Sequence, residues 1–210
     1  MKKKKPNPEE GLSKEVKKAY DNGGIQWDDQ FGGFVFPDLN GLFHKATEAY
    51  EGGRLDEAEH MLKRILGCND QIPDVHYNLG ILYRDRGQFD LSIQHFRRAI
   101  ELKPDDAAIY CELATALYQN GMKEDAKQNL EQAIRIDQSY ALAYANLGVW
   151  YLKEVEGPEF ELRKSKGPTY IDDCLEKAQK YFEKALNLDP ECITARKGLI
   201  RIGARRSAFR

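Results

Sequence analysis

Tyr77-Asn78-Leu79-Gly80-Ile81-Leu82-Tyr83 and Tyr144-Ala145-Asn146-Leu147-Gly148-Val149-Trp150-Tyr151 align on their glycines as Asn-Leu-Gly-x-x-Tyr. The likeness runs along most of the chain. Small residues fall at Ala46, Gly80, Ala114 and Gly148, each 34 positions after the last. Ala58, Ser92 and Ala126 form a second series with the same step, Ala99 and Ala133 a third, and Leu62, Phe96 and Leu130 a large apolar one. The fourth unit resumes at Ala178, Phe182 and Ala185, 52 beyond its predecessor, so it carries an 18-residue insertion. A fixed period of this length is the mark of a repeat architecture.

Each unit reads as two helices. In 73–106, Leu79, Leu82, Tyr83 and Arg86 precede a stop at Gly87, and Phe89, Ile93, Phe96, Ala99, Ile100 and Leu102 recur at steps of three or four. That spacing gives one apolar helix face. Lys103-Pro104-Asp105-Asp106 ends it, because proline cannot continue a helix. Gly80 and Ala99 are small where two helices cross closely. One hairpin cannot bury its apolar face alone, so stacked neighbours complete the core. The expected chain is mostly helical and free of sheet.

Leu79, Gly80, Tyr83, Phe96, Ala99 and Pro104, and again Leu147, Gly148, Tyr151, Ala178, Phe182, Ala185 and Pro190, carry a resemblance to the tetratricopeptide repeat family. The unit from Ala107 matches at Leu113, Ala114, Ala126, Leu130 and Ala133, with Gln138 at the terminal proline position. The first unit matches at Ala46, Gly53, Ala58 and Leu62, with Asp70 there. The resemblance covers about 39–204. It implies an all-α, right-handed α-solenoid of about four helical hairpins, at about 39–72, 73–106, 107–140 and 141–192. Residues 193–204 are read as a capping helix whose Ile193, Leu199, Ile200 and Ile202 cover the last repeat while Arg196, Lys197 and Arg201 face water. Residues 205–210 are a basic tail.

The 210 residues carry a formal charge of −2, which argues against a nucleic-acid binder. The charge is uneven: residues 193–210 hold +6 without an acid, residues 1–38 are neutral, and the rest holds −8. The basic end is either a solvated helix terminus or an electrostatic handle. No apolar run reaches the length of a membrane helix, and the basic opening lacks the apolar stretch of a secretory signal, so a cytoplasmic protein is expected. Cys68, Cys111, Cys174 and Cys192 form no CxxC pair and are expected as reduced, mostly buried thiols.

Two segments depart from the repeat. Residues 1–38 include a short helical stretch at 13–20 and a glycine-rich run holding Trp27, Phe31, Phe34 and Phe36. Four exposed aromatics would be adhesive, so this segment docks: as a cap on the first repeat, in the groove, or on another copy. The insertion near 154–171 is bounded by Gly157-Pro158 and Gly167-Pro168, and reads as a surface loop or a partner-contacting arm.

Catalytic patterns are missing. His44, His60, His76 and His95 show no i, i+4 metal pair, HExxH and G-x-S-x-G are absent, and Gly52-Gly53-Arg54 lacks the lysine and hydroxyl of a phosphate loop. No enzyme, metal, cofactor or small-molecule substrate is expected.

The resemblance implies a concave surface built from first helices. Its inward positions are Asp74, Tyr77, Asn78, Ile81, Arg84 and Asp85; Ala108, Cys111, Glu112, Thr115, Tyr118 and Gln119; and Leu142, Ala145, Asn146, Val149, Leu152 and Lys153, with Phe43 and Thr47 from the first unit. One subfamily grips a C-terminal carboxylate with Lys and Asn at the positions held here by Phe43 and Thr47 and with basic residues where Ala108 and Glu112 stand. That clamp is missing. Asn78 and Asn146 either hold an extended peptide backbone, donating and accepting at once, or bond within the scaffold. Tyr77, Ile81, Tyr118 and Val149 would offer apolar pockets. The leading expectation is a non-catalytic adaptor holding a peptide or protein segment in this groove. The alternatives are a self-assembling scaffold using the aromatic N-terminal segment, and a secretion-chaperone-like protein.

Overall fold

The computed structural model describes residues 14, 17, 21, 26–28, 33–35, 38–156 and 168–208. Lys14 and Lys17 are helical, within the stretch expected to be so. Two short strands follow, β1 (Gln26–Asp28) and β2 (Gly33–Val35), paired antiparallel with Trp27 opposite Phe34. This two-stranded ribbon corrects the expectation of a chain free of sheet. The glycine-rich run that cannot hold a helix can still reverse direction and pair with itself. Phe31 and Phe36, and the side chains of Trp27 and Phe34, lie outside the described residues, and so does the expected docking of the four aromatics.

From residue 39 onward the described structure is all-α: α1 (Leu39–Glu51), α2 (Leu55–Cys68), α3 (Pro73–Asp85), α4 (Phe89–Leu102), α5 (Ala107–Gln119), α6 (Lys123–Ile136), α7 (Ala141–Glu154), α8 (Pro168–Leu188) and α9 (Ile193–Ala208). The chain divides after Leu102 into two compact units.

In the first unit, α1 packs on α2 and α3 on α4. Gly53 and Gly87 close the turns between the paired helices with φ of +73°, a left-handed conformation that only glycine takes without strain. Ala46, Ala49, Ala58, Leu62, Ile65, Val75, Leu79, Leu82 and Tyr83 form one buried cluster. On α3, Gly80 lies against the ring of Phe96, where a Cβ would come within 2.6 Å of a ring carbon. Ser92 Oγ donates to the Gly80 carbonyl at 2.7 Å.

The second unit repeats this plan. α5 packs on α6 and α7 on α8, and Gly121 makes the α5–α6 turn with φ +85°. Gly148 meets the Phe182 ring as Gly80 meets Phe96, so that a Cβ there would stand 2.7 Å from a ring carbon. The residue 34 after Gly121 is Val155, whose φ is −108°. The tight turn is therefore not made there, and the insertion takes its place. The insertion is less of a loop than expected, because Pro168 begins α8 and the residues after it are helical. Proline suits a first helical turn, where its missing N–H costs nothing. Tyr170 Oη donates to Glu154 Oε2 at 2.9 Å, tying α8 to the end of α7. Residues 157–167 lie outside the described residues.

Two further corrections concern α9. It continues to Ala208, so 205–208 is helix and not tail. Ile193 and Ile200 are 64% and 73% exposed and do not cover the last repeat. Ile202 faces inward as expected, and Ala195 and Gly198 join it in place of the two isoleucines. The reason is the Phe182 ring, which lies 2.2 Å from where a Gly198 Cβ would be. Only a glycine lets the helix settle there, and seating Gly198 rotates both isoleucines outward.

Candidate peptide-binding site

Each unit holds a recess between its first helices, floored by its earlier second helix. In the first unit Ala46, Thr47 and Tyr50 from α1 and Asn78 and Ile81 from α3 surround it, with Leu62 of α2 below, enclosing about 40 Å³. In the second, Ala114, Thr115, Tyr118 and Gln119 from α5 and Asn146, Val149, Trp150 and Lys153 from α7 surround it. Ala126 and Leu130 of α6 form its floor, and it encloses about 130 Å³. The two recesses match position by position. Ala46, Thr47, Tyr50, Leu62, Asn78 and Ile81 correspond, 68 residues on, to Ala114, Thr115, Tyr118, Leu130, Asn146 and Val149.

The shared chemistry extends to the hydrogen bonds. Thr47 Oγ1 donates to the Phe43 carbonyl and Thr115 Oγ1 to the Cys111 carbonyl, both at 3.1 Å. The two hydroxyls are thus fixed on their helices. The amides differ. Asn146 Nδ2 donates to Cys111 Sγ at 3.1 Å, whereas the half-buried Asn78 amide has no partner among the described residues. Burial, together with the nearby Glu112 charge, pushes the Cys111 thiol up to about 12 against the pull of that hydrogen bond, so it stays protonated. The rims differ too. Tyr50 Oη donates to the Asp85 carboxylate, which also pairs with Arg84 at 3.0 Å. At the position equivalent to Asp85, Lys153 places its ammonium 4.5 Å from the centre of the Tyr118 ring.

The sequence-derived groove residues thus separate. Asn78, Ile81, Thr115, Tyr118, Asn146, Val149 and Lys153 line recesses. Tyr77 packs edge-on against Phe96 at 5.9 Å, and Arg84 sits beside the first rim. Cys111 and Ala145 are fully buried, as is Leu152, and none can touch a bound segment. This corrects their assignment as groove contacts: the inward-facing position of a first helix is shielded where the neighbouring helix packs over it. Glu112 is half-buried and lines neither recess. Tyr50 and Trp150 were missed, as were Ala46, Leu62, Ala114, Ala126 and Leu130, which the sequence offered only as packing residues. Tyr50 could have been found from the Ala-Thr-x-x-Tyr pattern it shares with Tyr118. Trp150 is held by its indole N–H donating to the Lys123 carbonyl at 2.9 Å.

Residues 82–121 match the TPR repeat family, and residues 107–140 and 175–192 match the tetratricopeptide repeat family. The matched residues are tetratricopeptide repeats. The chain's TPR region is similar to the peroxisomal targeting signal receptor of Eremothecium gossypii, 35% identical over 77 residues. That stretch is 37% of this chain, and the chain spans 14% of the receptor's length. In structure it is similar to pilF of Pseudomonas aeruginosa, with a TM-score of 0.65 at 18% identity over 81% of this chain and 70% of that one. It is also similar to YrrB, a TPR protein with an unusual peptide-binding site, with a TM-score of 0.57 at 21% identity over 75% and 72%. Both structural likenesses are of fold. Among the described residues no helix is long and apolar enough to cross a membrane.

Proposed function

We propose that the chain is a non-catalytic adaptor that holds an extended peptide or protein segment in its first-helix recesses. The observation that carries this reading is the repetition of one recess at a 68-residue interval, with every residue lining the first matched by position in the second. A core needs no such duplicated opening. A segment lying over either recess could place an apolar side chain in it, with Asn78 or Asn146 beside its backbone. TPR arrays serve protein interaction in general, and the E. gossypii relative is a receptor for a targeting signal.

A photo-crosslinking residue at Val149 tests this reading, with one at the exposed Gln128 of α6 as control. Segments from a peptide library should crosslink at Val149 and not at Gln128. Equal yields at both would refute it.

A further inference from the structure

We infer that the recess of the second unit selects an apolar side chain flanked by a carboxylate, so that its ligand is an extended acidic peptide. This deepens the adaptor reading and rests on it.

Size comes first. The two recesses share a leucine floor, Leu62 and Leu130, yet the second is the larger, about 130 against 40 Å³. A cavity of about 150 Å³ lined by apolar side chains accepts a benzene ring. The second recess therefore has room for a branched aliphatic or small ring side chain, whereas the first admits little more than a methyl group. Val149 in place of Ile81 removes a methylene.

Charge comes second. The first rim carries Asp85, and Glu51 ends the same helix as Tyr50. The equivalent positions of the second rim are Lys153 and Gln119. Lys153 is exposed, makes no ion pair among the described residues, and is held over the Tyr118 ring at the mouth of the recess. An ammonium fixed beside an apolar pocket favours a carboxylate on the residue next to the one that fills it, and disfavours a second cation. Asn146, held by the Cys111 thiol, is already oriented for the backbone between them.

A phage-displayed random decapeptide library panned on the full chain and on its Lys153→Glu and Lys153→Gln variants tests this. Wild type should enrich Asp or Glu next to an apolar anchor. Lys153→Glu should enrich Lys or Arg there, and Lys153→Gln should keep the anchor and lose the charge preference. A synthetic peptide from the wild-type pool should bind about three- to tenfold tighter than the same peptide with lysine in place of the acid, and this ratio should shrink as salt is raised. Apolar anchors enriched with the same flanking residues in wild type and both variants would overturn the charge assignment while leaving the adaptor reading intact. A library that yields no anchored peptide for wild type overturns both.

Discussion

The Cβ that Gly80 lacks would fall 2.6 Å from the ring of Phe96, and the same pairing recurs between Gly148 and Phe182. The other two repeats pair Ala46 with Leu62 and Ala114 with Leu130 at the equivalent positions. Glycine goes with the ring and alanine with the smaller side chain, so the contact is a matched pair and not two independent choices.

Gly80→Ala should therefore overpack the α3–α4 contact by about 1–3 kcal/mol, offset in part by about 1 kcal/mol of helix propensity. Phe96→Leu alone leaves a gap and is also destabilising. The double variant reproduces the Ala–Leu pairing of the neighbouring repeats and should lose less than the sum of the two single losses. Urea unfolding of the four proteins checks it. Strict additivity would show that the two positions do not share space.

Thiol reactivity follows burial. Cys68 is half-buried, while Cys111, Cys174 and Cys192 are buried. Burial pushes the Cys174 thiol up as well as that of Cys111, and both stay protonated at neutral pH. A thiol reagent such as DTNB at pH 8 should modify Cys68 first in the native protein, and the other three only on unfolding. Rapid modification in a Cys68→Ser variant would contradict the packing.

Acid should weaken the first unit in two windows. His76 Nδ1 lies 3.1 Å from His95 Nδ1, and burial, with the His76 charge beside it, pulls the His95 imidazole down to about 4. Both rings fold neutral, so the unfolded chain binds more protons as pH falls below about 6.5, and stability declines until about pH 4. Burial works against the Glu59 charge, but hydrogen bonds from Lys63, Tyr83 and Arg86 outweigh it and hold the carboxyl down to about 2. Its stabilising contribution is lost only from about pH 4.5 downward. Melting temperatures across pH should fall less steeply between 6.5 and 4 in His95→Gln, with the remainder due to His76, whose imidazole burial also pulls down, and should keep the lower slope. An unchanged upper slope would show that the histidine pair does not set the first window.

The helical repeat was legible because glycine, alanine and proline punctuate it at fixed steps, and Gly53, Gly87 and Gly121 take the left-handed turns that spacing implies. The finer period of 68 was also present, in Ala46-Thr47-x-x-Tyr50 against Ala114-Thr115-x-x-Tyr118, but comparison at 34 residues hides it. The roll of α9 was not legible. Ile193 and Ile200 look like core by hydrophobicity, and only the place of Gly198 against Phe182 shows that small residues face inward. Cys111 and Ala145 were misread for a related reason. Position in a repeat tells which way a side chain points, whereas exposure depends on the size of what packs over it.

Whether the recesses between first helices receive a peptide can be read by backbone amide NMR of the full chain, titrated with an acidic, apolar-anchored decapeptide. Shift changes should concentrate at Ala114–Gln119 and Asn146–Lys153, and should be suppressed when Val149→Arg fills the second recess. Changes confined to α9, to residues 157–167 or to the N-terminal segment, and unaffected by Val149→Arg, would contradict peptide binding in the recesses.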